Sequence, residues 1–183
     1  MTGAGIGHNR GPELAPGTAW RRHCWGAARK ALLPHLPIEV LRGRLKRAAE
    51  LGLDYSTYAG IRATTGRDVV AVLFSSNALG MERGGGVTPD RKAHLAAVKA
   101  ARIGLATPPL TPGAMLEVPL DAAWPAPPVL SPFRVQAEMI RAALGSCPGD
   151  GAILVGGYGG ERDWAMAGRL AAYLPAERVF ATG

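Results

Sequence analysis

From residue 68 onward the chain alternates short apolar runs with helical stretches, and this constrains its fold more than any other feature. DVVAVLF (68–74) is β-branched and apolar at successive positions and ends in the turn-like Ser75-Ser76-Asn77. Runs that are apolar throughout, rather than at alternate positions, suit strands covered on both faces. A Gly-rich loop then leads into a helix expected from about Asp90 to Ala101, with Thr88 or Asp90 as its cap, and RIGLAT (102–107) is a second strand candidate. A helix over 132–144 should turn Val135, Met139, Ala142 and Ala143 toward one face; AILV (152–155) follows as a strand, then a helix from about Arg162 to Leu174 and a last strand, RVFAT (178–182). The expected class is α/β, with a small, mostly parallel sheet of four strands.

The alternation is interrupted at 108–132, where eight prolines exclude a long regular element and favour an extended path. Leu116, Leu120 and Trp124 make this segment read as a strap lying across a neighbouring surface.

The first third has a different character. Residues 1–67 hold eleven Lys and Arg against four Asp and Glu, whereas the remainder is balanced, so the whole net charge of +7 belongs to this part. Residues 1–18 have the Gly and Pro content of a tail, and AWRRHCWGAARKALL (19–33) has helical spacing. In PIEVLRGRLKRAAELGLDYSTYAGIRATTG (37–66), Ile38, Leu41, Leu45 and Ala48 fall on one helical face and Gly52 can end that helix. Asp54 can cap a second helix with Tyr58 and Ile61 inward. The expected organisation is a tail, a basic three-helix module over 19–66 and an α/β module over 67–183.

Ala48, Gly52, Leu53, Tyr58 and Ile61 match the spacing of small, glycine and apolar positions in a helix-turn-helix, and residues 38–65 resemble that class of DNA-binding proteins. Two positions depart from it: Tyr58, where the class has an aliphatic residue, and Arg47, where it has a buried one. The resemblance implies a regulatory DNA-binding protein. Tyr55, Ser56, Ala59 and Arg62 would lie at base edges, with Thr57 beside them in the first turn of the DNA-binding helix, and Arg42, Arg44, Lys46 and Arg47 at phosphates. Nucleic acid is thus the first partner expected, and an acidic protein would feel the same field.

A different chemistry is suggested by GGYGGERDW (156–164), a glycine-rich turn between a strand and a helix. Gly156, Gly157, Gly159 and Gly160 would let backbone N–H groups approach a phosphate or carboxylate. PFRVQAEMIRAAL…PGDGAILVGGYGG is similar to the first nucleotide-binding motif of methyltransferases that use S-adenosylmethionine. That resemblance implies an acidic residue at the end of the following strand, and RVFAT ends without one. Glu161 and Asp163 read as residues opening a helix. No catalytic constellation emerges among the histidines, no metal ligand set is spaced for binding, and no cofactor is assigned. Cys24 and Cys147 belong to no CxxC pair, and no apolar run is long enough to span a membrane. A cytoplasmic location is expected.

Overall fold

A computed structural model describes residues 36–81 and 86–180. The expected tail, the expected helix at 19–33 and the last positions of RVFAT lie outside the described residues. Contacts divide the chain after Val40 and gather Leu41–Gly183 into one compact unit.

Five strands form one all-parallel sheet. β1 (Ala71–Ser75) is central, flanked by β2 (Ala101–Ala106) and β4 (Ala152–Gly156); β3 (Ala122–Pro125) and β5 (Ala172–Pro175) are the edges, in the order β3-β2-β1-β4-β5. Register pairs Leu73 with Ile103 on one side and with Leu154 on the other. β1 and β4 are buried at every position, as their unbroken apolar runs demand.

Alternate residues of these strands serve two cores. Val72, Phe74, Ile153 and Val155 pack with Tyr58, Ile61, Leu95 and Val179, while Leu73, Leu105 and Leu154 pack with Ile140, Leu144 and Trp164. Eight α-helices cover the sheet among the described residues: α1 (Ile38–Glu50), α2 (Tyr55–Thr65), α3 (Ser76–Leu79), α4 (Pro89–Ala97), α5 (Pro112–Met115), α6 (Phe133–Leu144), α7 (Arg162–Ala167) and α8 (Ala176–Phe180). The chain runs outward from β1 through β2 to β3, then returns past β1 to lay down β4 and β5. The strand order therefore reverses between β1 and β4, as in doubly wound α/β folds.

The basic hairpin is built largely as its spacing requires. Leu53 N–H donates to the Ala48 carbonyl at 3.0 Å to close α1, and the Asp54 carboxylate accepts from Thr57 N–H at 2.9 Å to start α2. Gly52 has φ +67°, and an added Cβ would stand 2.4 Å from the His94 imidazole, so glycine is required on both counts. Tyr58 and Ile61 are buried in the core that also holds Val72 and Phe74. At about 1.5–3 kcal/mol for each large apolar side chain buried, they anchor α2 to the sheet.

Several expectations need correction. Of the α1 face, Ala48 is buried and Leu41 half-buried, but Ile38 and Leu45 are exposed, because only the last turn, with Leu51, reaches the core. In α6 the inward residues are Gln136, Ile140, Ala143 and Leu144; Val135 is exposed, so the buried stripe is rotated about one position. α4 stops at Ala97, since Val98 turns extended and Ala101 enters β2. α7 stops at Ala167; Arg169 takes φ +53°, and Ala172–Pro175 is the strand β5. Residues 178–180 of RVFAT are helical, in α8. The sheet has five strands rather than four, because the Pro-rich segment contributes β3. Its edge position needs ladder hydrogen bonds on one side only, which Pro125 tolerates. Trp124 and Leu116, expected to lie against a surface, are exposed.

Candidate functional site

In parallel sheets, a crevice opens at the carboxyl ends of the strands where their order reverses. Here that point lies between β1 and β4. β1 ends at Ser75 and passes through Ser76 and Asn77; β4 ends at Gly156 and passes through Gly157, Tyr158 and a short 3-10 turn, Gly159–Glu161. Glu161 is fully buried and its carboxylate joins the two strand ends. It accepts from Ser75 Oγ at 2.9 Å, from Asn77 Nδ2 at 2.6 Å and from Gly157 N–H at 2.7 Å. Burial pushes the Glu161 carboxyl above its ordinary range, and the donors of Asn77, Ser75 and Gly157 pull partly against that. Tyr173 on β5 donates its hydroxyl to the Tyr158 carbonyl at 2.7 Å, and burial, followed by the nearby Glu161 charge, pushes its phenol up.

The glycines of this loop have distinct roles. A Cβ on Gly157 would stand 2.6 Å from the Asn77 backbone, so this glycine lets the β1 and β4 ends approach, and one on Gly156 would stand 2.4 Å from the Tyr173 ring of β5. Gly160 is pressed by the Tyr158 ring, whereas nothing lies within 4 Å of a Cβ on Gly159. The Gly157 N–H, one of those expected to approach an outside anion, is already donated to Glu161.

Two polar atoms here are buried without a partner, Asn77 Oδ1 and Thr107 Oγ1. Because the Asn77 amide nitrogen must face Glu161 Oε1, the oxygen is the atom left over. Thr107, just beyond β2, donates its N–H to Ser76 Oγ at 3.1 Å. The exposed Glu177 lies two residues beyond the end of β5. Through Arg162 and Tyr173 the site adjoins a cavity of about 280 Å³, also lined by Met166 and Leu170.

The residues expected to meet DNA lie on both helices of the hairpin. Arg47 turns inward: Nε lies 2.9 Å from Asp68 Oδ2, and its other nitrogens donate to the carbonyls of Val69 and Lys99 at 2.9 Å each. Arg42 and Lys46 are exposed one turn apart on α1, and Arg44 lies about 160° around the helix from Arg42. At the start of α2, the hydroxyls of Ser56 and Thr57 both donate to the Asp54 carboxylate, and Arg178 donates to Thr57 Oγ1 at 2.7 Å. Arg62 lies 4.0 Å from Asp68, and Tyr55 is half-buried.

Glu161 is the residue that sequence reasoning read as a helix-opening acid. The available signal was a polar triplet after one strand and a glycine loop after another; that these strands are neighbours is a property of the topology. Among the described residues, no three His, Cys, Asp or Glu side chains converge as metal ligands, and no helix is long and apolar enough to cross a membrane. Fold and site together define a doubly wound α/β protein with a buried carboxylate at its switch point. No protein family, curated protein or solved structure matches the chain.

Proposed function

We propose that the chain binds a small ligand carrying hydroxyl or amino donors, such as a nucleoside or an adenosyl compound, at the carboxyl edge where β1, β4 and β5 meet. The observation that carries this is the buried, unpartnered Asn77 Oδ1 beside Glu161 at the strand-order reversal. A buried acceptor without a donor costs about 1–3 kcal/mol, which a ligand hydroxyl or amine relieves. The resemblance to the methyltransferase motif supports the same reading. It asks for a glycine loop after one strand and an acid at the end of the next, and Glu177 follows β5 by two residues. With Gly157 N–H committed and Glu161 adding negative charge, phosphate is the poorer occupant. Amide chemical-shift mapping with adenosine, S-adenosylmethionine and inorganic phosphate tests this. Shifts confined to Asn77, Gly157–Glu161 and Glu177, with the first two compounds only, are expected; an unperturbed crevice at millimolar ligand refutes it.

A second reading keeps the hairpin as a regulatory nucleic-acid surface. It is supported by the excess positive charge of residues 1–67 and by the exposed Arg42 and Lys46 on one stripe of α1, with Tyr55 and Arg62 on α2. Fluorescence anisotropy with duplex DNA at low salt is expected to show binding that Lys46→Ala weakens on every sequence alike. Absence of binding ends this reading, and recovery of an acidic protein after nuclease treatment replaces it with a protein partner.

A further inference from the structure

The α6 side of the sheet edge combines two features that a monomer gains nothing from. Residues 122–133, AAWPAPPVLSPF, contain no charged side chain. Within them Trp124, Val129 and Phe133 are exposed, and Leu130 is 95% exposed. Leu130 also has φ +65°, the left-handed region that any side chain but glycine enters at a cost. The backbone thus spends conformational energy to hold a leucine out in solvent.

The segment is continuous in the chain and leads from the sheet edge into α6. Trp124 pairs in register with Leu105, which belongs to the core shared with Ala126 and Ile140, and the chain then turns at Pro128–Ser131 into α6. With ordinary side-chain areas, the four residues and Val135 present roughly 500 Å² of apolar surface, at the upper end of what monomers show. About 800 Å² per partner makes a standard interface, so a modest polar rim completes one.

We infer that this surface pairs with a second copy of the chain across a two-fold axis, through Trp124, Val129, Leu130 and Phe133. A charged patch facing its own copy sets like charges opposite each other, whereas an uncharged one meets itself without that penalty. The flanking charges are already neutralised within the chain, Asp121 by Arg102 and Arg134 by Glu138 at 2.9 Å. The prolines at 125, 127 and 128 leave no run of edge N–H groups for strand addition, so side chains make the contact.

Sedimentation equilibrium of the full chain tests this with Leu130→Gly and Phe133→Asp. Leu130→Gly removes the side chain while relieving the backbone, so its melting temperature should hold or rise as dimer affinity falls at least tenfold. Phe133→Asp should leave a monomer. A wild-type chain that stays monomeric up to its solubility limit overturns the inference, as does a dimer whose affinity neither substitution changes. A monomer in which Leu130 proves protected from solvent overturns it too, in favour of an occupant from the same chain.

Discussion

Replacing Glu161 by alanine strips an acceptor from three donors at once: Ser75 Oγ, Asn77 Nδ2 and Gly157 N–H. Ser75 is fully buried, while Asn77 and Gly157 are half-buried and partly reachable by water. At about 1–3 kcal/mol for each buried group left unpaired, and with relief from a desolvated charge set against it, the net loss should be about 3 kcal/mol. That is a large share of a typical 5–15 kcal/mol. Glu161→Gln has nearly the same shape: its oxygen still accepts from Ser75 and Gly157, and its amide can donate to Asn77 Oδ1 once that side chain flips. It should therefore stay within about 1 kcal/mol of wild type. Urea unfolding at neutral pH, with unchanged m-values, reads both. A Glu161→Ala change below about 0.5 kcal/mol, the range of an ordinary surface substitution, would refute the reasoning.

The glycine loop gives a paired prediction. Gly157→Ala drives a Cβ to 2.6 Å from the Asn77 backbone and should cost about 2 kcal/mol, whereas Gly159→Ala meets nothing within 4 Å and should be neutral by thermal melting. Arg47→Ala should lower stability by about 2 kcal/mol through loss of its bonds to Asp68, Val69 and Lys99. A loss of DNA affinity with stability intact would contradict that assignment. Asp54→Ala should cost about 1 kcal/mol as a lost helix cap. Since the Ser56 and Thr57 hydroxyls hold the Asp54 carboxyl well below its usual range, the cap's contribution is present above the ordinary 3.8 and lost as pH falls below it. Denaturation at two pH values reads the difference.

The sequence revealed the class of the fold because strands covered on both faces must be apolar throughout; β1 and β4 carry that mark, and β2 carries it from Ile103 onward. It did not reveal β3 or β5. AAWP lies in a proline-rich stretch and AYLP runs on from an apparent helix, and both are edge strands whose short, half-exposed pairing leaves little imprint on composition. The α2 inward pair, Tyr58 and Ile61, followed from helical spacing alone. Arg47 did not, because its partners Asp68, Val69 and Lys99 are 21 to 52 residues away. The same holds for the site: Ser75 and Glu161 are 86 residues apart, and their meeting depends on the strand order.

Carbon-13 NMR titration of the Glu161 side-chain carboxyl is the most direct measurement of whether a buried carboxylate pins the two strand ends. The folded chain should give a midpoint above the ordinary 4.5. The folded state then binds more protons than the unfolded one between 4.5 and that midpoint, so stability should fall as pH rises through this window. A midpoint at or below 4.5, with stability flat or rising across the same range, would contradict a carboxylate whose burial outweighs its hydrogen bonds from Asn77, Ser75 and Gly157 at the strand ends.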